Sequence, residues 1–277
     1  MESPSRERDR AWRPSGVVTL LTDFGLRDTY VGVMKGVLLR AAPGVTAVDL
    51  THDVPPQDVR AAAFHLRHAW RWFPEGSVHV AVVDPGVGSA RRILLAQQEG
   101  QVFLAPDNGL LSGVLAPGAE VRALDVERVA LPARSRTFHG RDVFAPAAGC
   151  LAAGLAPAEA SVPAGDWLRL EWPRACAREQ GGFEAAVELV DHFGNAVTTL
   201  TAAELDPARA RGWVAEAGGR DLPVAGTYSE AAPGQALALL DSFGCWEIAV
   251  RDGDAARRLG LARGTRVVFR PGRGAQA

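Results

Sequence analysis

The chain has 277 residues, 47% of them hydrophobic and 22% charged, with a formal net charge of −2. That balance fits a globular protein of one large or two smaller domains. It excludes the basic surface of a nucleic-acid binder, because the arginines are scattered and Lys35 is the only lysine. Cys150, Cys176 and Cys245 form no CxxC pair, which argues against a disulfide framework or a zinc knuckle. The opening "MESPSRERDRAWRPSG" lacks the apolar core of a secretory signal, and no apolar run is long enough to span a bilayer. The cytoplasm is the expected compartment, and residues 1–15 read as a flexible arm.

"VVTLLT" (17–22) is a β-branched apolar run of the kind that forms a buried parallel strand. Tyr30, Val33, Met34, Val37, Leu38 and Ala41 then repeat at helical spacing until Pro43-Gly44. "VTAVDL" (45–50) is the next strand. Pro55-Pro56 and Asp58 open a helix whose apolar face is Val59, Ala62, Ala63, Leu66 and Phe73. Strands follow at 77–84, 93–98 and 101–106, then a short helix after Asp107, a strand near Val121 and a helix from Arg141 towards Leu155.

This alternation predicts an α/β domain with a mostly parallel sheet over 16–165. The Ala-, Pro- and Gly-rich segment 156–182 shows neither period, so a linker is placed at 166–182. Beyond it, short strands separated by turns predict a smaller β-barrel-like domain over 183–277, with helix only at 254–260.

Three strands of the first domain end in polar clusters: Thr22-Asp23, then Asp49 to Asp53, then Asp84-Pro85-Gly86-Val87-Gly88. Ligands of open α/β sheets bind beyond the carboxyl ends of strands. One aspartate there is readily a turn or N-cap residue; three in succession point to a site. "DFG" (23–25) carries no kinase meaning, since the Gly-rich loop and catalytic-loop motifs are missing. Asp23, Asp49, His52, Asp53 and Asp84 could form the ligand set of a metal-dependent phosphohydrolase, although HxD, HxH and ExxH spacings are absent. In "VVDPGVGSARR" (82–92) the loop can fold back and pair Arg91 with Asp84, a contact that in isolation reads as a structural salt bridge. His139 precedes a helix start in "RTFHGRDVFAPAAG" (136–149). "VDHFGNAVTT" (190–199) and "LLDSFGCWEIAV" (239–250) repeat an Asp/Phe/Gly theme at strand ends, where turn roles are common.

Seven segments in order resemble the S-adenosylmethionine (SAM) hydroxide adenosyltransferases, or SAM hydrolases, relatives of the fluorinases and chlorinases. They are "TDFGLRDTYVGVMKG", "DLTHDVPPQDV", "HVAVVDPGVGSARR", "APDNGLL", "FHGRDVFAPAAG", "DHFGN" and "DSFGCWEIAV", spread over roughly residues 16–270. The resemblance implies a homotrimer with intersubunit active sites that splits SAM into adenosine and methionine by attack of water at ribose C5′. It implies no metal and no cofactor, SAM being the substrate.

By the same resemblance Asp84, Arg91 and His139 handle the water, and Asp23 holds the ribose hydroxyls. Asp191 pairs with the methionine ammonium, Asn195 reads adenine, Ser242 meets the methionine carboxylate, and Tyr228 stacks on adenine. Halogenases of similar sequence carry Tyr at the place of Asp84 and a hydroxyl residue near Val87, so an anionic Asp84 favours water over halide. Asp241, Trp246 and Thr199 depart from the family pattern. A SAM-dependent halogenase, the phosphohydrolase above and a SAM- or adenosine-binding sensor without turnover are the alternatives.

Overall fold

The computed structural model describes residues 12–272, and the chain divides into two compact units after Glu171. In the first unit the strands are β1 (Val17–Thr22), β2 (Thr46–Thr51), β3 (Val78–Val82), β4 (Ile93–Gln98), β5 (Gln101–Pro106), β6 (Val121–Leu124) and β7 (Ser161–Pro163). They lie in the order β2-β1-β3-β5-β4-β6-β7. The neighbours from β2 to β5 run parallel, and β4, β6 and β7 extend the sheet with antiparallel pairings.

β1, β3 and β5 are buried along nearly their whole length, as their largely apolar runs require. Helices α1 (Tyr30–Ala41), α2 (Val59–Ala69), α3 (Val126–Val129) and α4 (Ala145–Ala152) complete the unit. Met34 and Leu38 of α1 join Phe144, Ala148 and Leu151 over β1 and β3 in one apolar cluster. Asp58 caps α2 by accepting from the Ala61 N–H at 2.9 Å.

Several local expectations are corrected. Phe73 lies outside α2, which ends at Ala69 and passes through a 3-10 turn at Trp70–Trp72. The helix after Asp107 is a 3-10 turn, Leu110–Gly113. The helix expected from Arg141 begins as a π-helical turn, Gly140–Phe144, before α4 takes over. Of the expected N-terminal arm, residues 1–11 lie outside the described residues. Within residues 12–15, Trp12 donates to the Leu151 carbonyl at 2.9 Å and the Ser15 N–H to the Gly76 carbonyl at 3.0 Å.

The aperiodic segment 156–182 contains β7, ahead of the linker expected at 166–182. Its following residues are tied to the first unit: Arg92 donates to the Ala164 and Asp166 carbonyls, and Asp107 accepts from the Leu168 N–H at 2.8 Å.

The second unit contains β8 (Cys176–Ala177), β9 (Phe183–Val190), β10 (Ala196–Thr201), β11 (Trp213–Ala217), β12 (Arg220–Pro223), β13 (Ala236–Leu240), β14 (Cys245–Val250) and β15 (Arg266–Pro271), with the short helix α5 (Ala255–Leu259). The path β12-β11-β15-β9-β10-β14-β13 is antiparallel throughout, with β8 pairing beside β9. Its two ends come together where Val224 bridges Ala238 and the Ala225 N–H donates to the Ala238 carbonyl at 2.9 Å. The result is a nearly closed barrel whose edges are mutually covered. Its interior holds Trp246, Phe269, Ile248, Val187 and Leu200. β12 escaped the sequence reading because "RDLP" has a single buried residue, Leu222.

Candidate active site

In the first unit the loop after β3 turns sharply, with the Val87 N–H donating to the Asp84 carbonyl at 3.2 Å and Ser89 Oγ donating to the Gly86 carbonyl at 2.7 Å. Gly88 is at φ +80°, and a Cβ there would sit 2.5 Å from the Arg136 carbonyl oxygen, so both conformation and space call for glycine. The turn folds Arg91 back onto Asp84: Nε donates to Oδ1 at 2.9 Å and Nη2 donates to Oδ2.

The same Nη2 donates to His139 Nδ1 at 2.9 Å. Arginine is only a donor, so Nδ1 carries the lone pair and the neutral ring carries its proton on Nε2. The Asp84 and Arg91 side chains are only 5% and 10% exposed, which makes this a buried bidentate pair. Burial, helped by the Arg91 charge, holds the His139 pKa below its usual 6.5 against the opposing pull of Asp84 and Asp142.

His139 ends the loop just before the π-helical turn, an irregularity frequent at functional sites. That loop is pinned by Asp142, 1% exposed, which accepts from the Ser135 N–H at 2.7 Å and from both Nε and Nη2 of Arg141. Asn108 steadies the end of β3 by donating to the Val83 carbonyl at 2.8 Å.

Asp23, Asp84 and His139 open on one cavity of about 280 Å³, also lined by Phe24, Gln57, Val87 and Phe138. Asp23 Oδ2 accepts from the Gln57 N–H at 2.8 Å. Gln57 is in the left-handed region at φ +67°, a strained state for a side-chain-bearing residue and one that clusters at functional sites. The sequence had given no sign of that strain. Phe24, Tyr30 and Phe138 meet edge to face, with centroids 5.2–6.0 Å apart, and form an apolar flank beside Asp23.

The metal-ligand set does not assemble. Asp49 pairs with Lys35 at 2.6 Å and lies 3.0 Å from His52, while Asp84 is taken by Arg91. Burial alone would raise the Asp49 pKa, but Lys35 and His52 outweigh it and hold the carboxyl below its usual value. Among the described residues no group of three or more His, Cys, Asp or Glu side chains could hold a metal ion.

In the second unit, "DHFGN" and "DSFGC" adopt the same turn. Asp191 Oδ1 accepts from the Phe193 and Asn195 N–H groups at 2.9 and 2.8 Å; Asp241 Oδ1 accepts from Phe243 and Cys245, both at 2.8 Å. Each loop places its glycine at positive φ, Gly194 at +84° and Gly244 at +78°. Asn195 Nδ2 also donates to Asp191 Oδ2 at 3.1 Å, so these two candidates share one loop. Ser242 is exposed in the other loop.

The Tyr228 hydroxyl donates to Glu247, leaving a ring that is 43% exposed. Glu247 went unnoticed in the sequence, although a glutamate inside the apolar run "CWEIAV" was the available signal. It is buried, and burial, reinforced by Asp241 and Asp191, pushes its pKa up to about 7. Burial likewise raises the pKa of Asp241, and burial with its acidic neighbours raises that of Tyr228. Of the departures from the family pattern, Trp246 points into the barrel, donating to the Leu205 carbonyl at 3.0 Å, and Thr199 is buried, accepting from the Ala186 N–H at 3.2 Å.

Comparison with known proteins gives the same picture. Residues 18–161 match the SAM hydroxide adenosyltransferase N-terminal domain and residues 185–268 the C-terminal domain of the same name. An (R)-S-adenosyl-L-methionine hydrolase of Thermus thermophilus is 45% identical, covering 89% of this chain and 96% of that one. A fluorinase of an Actinoplanes species is more distant, 29% identical over 69% of this chain and 74% of its own length. Among solved structures, an uncharacterized conserved protein from Thermotoga maritima superposes with a TM-score of 0.85 at 32% identity, covering 91% of this chain and 99% of that one. The chain belongs to the SAM hydroxide adenosyltransferase family.

Proposed function

We propose that the chain hydrolyses S-adenosyl-L-methionine to adenosine and L-methionine, with water attacking ribose C5′ and neither metal nor cofactor taking part. The observation that carries this reading is the joined Asp84–Arg91–His139 cluster opening on the same cavity as Asp23. In the reaction the C5′–S bond breaks and its electron pair stays on sulfur, giving a neutral thioether. The water oxygen forms the new C5′–O bond, and its proton must go to a base.

His139 Nδ1 is occupied by Arg91, which leaves Nε2–H to donate to the water and orient it. Asp84 retains lone pairs beyond the two Arg91 contacts and takes the proton. Charge is lost as an oxygen nucleophile meets a sulfonium, so a secluded pocket favours the transition state. In-line positioning can supply roughly 7–11 kcal/mol and base help roughly 10²–10⁴-fold, so positioning is the larger effect.

Asp23 takes the ribose diol. With Oδ2 already accepting from Gln57, Oδ1 is its free arm. In the barrel Asp191 binds the methionine ammonium, Asn195 the adenine edge and Ser242 the carboxylate, while the exposed ring face of Tyr228 stacks on adenine. The assembly is a homotrimer with active sites shared between subunits, acting in the cytoplasm. No helix among the described residues is long and apolar enough to cross a membrane. Incubation with SAM and excess chloride tests the assignment. Adenosine and methionine are expected, and 5′-chloro-5′-deoxyadenosine as the product would overturn the reading in favour of a halogenase.

A further inference from the structure

Asp23 stands on the turn that leaves β1, and that turn is clamped to the end of β2 by one buried histidine. His52 is 3% exposed and Thr22 is fully buried. Thr22 Oγ1 lies 2.8 Å from His52 Nδ1 and accepts from the Phe24 N–H at 3.2 Å, while the His52 carbonyl accepts from the Gly25 N–H at 2.8 Å. The two residues flanking the Asp23–Phe24 peptide are thus both held by His52, one through its ring and one through its main chain.

On the far side, His52 Nε2 is 3.0 Å from Asp49 Oδ1, a close polar contact with the carboxylate. Asp49 Oδ2 is in turn held by Lys35 at 2.6 Å. The neutral ring has one arrangement that suits both neighbours. A carboxylate beside Nε2 requires the proton there, which leaves Nδ1 to accept from the Thr22 hydroxyl and the Thr22 oxygen to accept from Phe24. The chain from Lys35 to Asp49, His52 and Thr22 therefore ends at the backbone that carries Asp23.

We infer that His52, anchored by Asp49 and Lys35, is a positioning residue that aims Asp23 at the ribose hydroxyls of the substrate. A carboxylate that rotates freely forfeits the orientation on which its hydrogen bonds depend, so loss of the clamp acts on Asp23 without touching the water-handling cluster. The inference rests on the assignment of Asp23 to the ribose diol.

The experiment compares SAM with its 2′-deoxy and 3′-deoxy analogues in the parent protein and in Asp23→Ala, His52→Ala, His52→Asn and Lys35→Met variants. In the parent, removal of a ribose hydroxyl is expected to raise KM at least tenfold. In Asp23→Ala that discrimination disappears. If the parent and Asp23→Ala discriminate alike, the ribose assignment itself fails.

With that assignment standing, His52→Ala is expected to raise KM for SAM about tenfold or more, to leave kcat within about threefold, and to discriminate little against the deoxy analogues. His52→Asn, whose amide can sit where Nδ1 sits, restores part of the discrimination. Lys35→Met, changed at the outer end of the chain, moves the same ratio in the same direction by a smaller factor and keeps the readout available if His52→Ala does not fold. The inference is overturned if the folded His52 variants, or Lys35→Met where they do not fold, retain the parent's discrimination ratio.

Discussion

Glu247 offers a quantitative test of the barrel. Its carboxyl is 2% exposed on β14, accepts the Tyr228 hydroxyl, and shares its surroundings with Asp241 and Asp191. Burial first, and those two carboxylates second, raise its pKa from 4.5 to about 7. The folded protein therefore keeps a proton that the unfolded chain releases near 4.5. The stabilising contribution is complete below that pH and is lost as pH climbs to about 7.

At about 1.4 kcal/mol per pKa unit the whole gap sets an upper limit of about 3 kcal/mol. Relaxation of the surroundings around the ionised carboxylate brings the expected loss to about 1–2 kcal/mol. Glu247→Gln keeps the shape and an acceptor for Tyr228 but cannot ionise. Thermal unfolding of parent and variant should coincide below about pH 4 and separate by pH 8, with the variant melting roughly 2–8 °C higher. A constant difference between the two across that range would refute the assignment of a raised pKa to Glu247.

Asp84→Asn should lower kcat for SAM hydrolysis by roughly 10²–10⁴-fold with little change in KM, as loss of a base predicts; Asp23→Ala should mainly raise KM. Steady-state kinetics on both variants separate the two roles, and an Asp84→Asn enzyme running at the parent rate would contradict the proposed chemistry. Since burial and Arg91 keep His139 neutral below its ordinary pKa, the acid limb of the kcat profile due to this ring should fall below pH 6.5. In His139→Gln that limb should be absent, and a parent limb centred above 6.5 that vanishes in the variant would reverse the sign argued here. Because Asp49 is committed to Lys35 and His52, and Asp84 to Arg91, turnover should survive exhaustive chelation with EDTA. Loss of activity restored by a divalent cation would revive the phosphohydrolase alternative.

Apolar periodicity carried most of the fold. The largely apolar runs of β1 and β3 and the helical spacing from Tyr30 to Ala41 each became the expected element. What escaped was set by tertiary contact. β7 has three residues and owes its existence to pairing with β6, and in the π-helical turn a side chain at Gly140 would crowd Met34, Phe24 and Phe138. For the site, the Asp84–Arg91 closure was readable because both residues sit on one glycine-rich loop. The approach of His139 from 48 residues away was not a matter of spacing, and it entered only through family resemblance. Gln57 stayed hidden, and His52 was legible only as a candidate metal ligand, for different reasons. The role of Gln57 depends on a backbone angle that no side chain announces, and His52 works through two neighbours rather than on the substrate's side of the turn. Glu247 was hidden by the strand pattern around it, in which one acid among apolar residues reads as a surface position.

The most direct test of the central claim is hydrolysis of SAM in ¹⁸O-labelled water, with both products weighed by mass spectrometry. Attack at C5′ by water held at Asp84 and His139 predicts one ¹⁸O in adenosine, at O5′, and none in methionine. Label in methionine, or a 5′-substituted nucleoside without label, would contradict it.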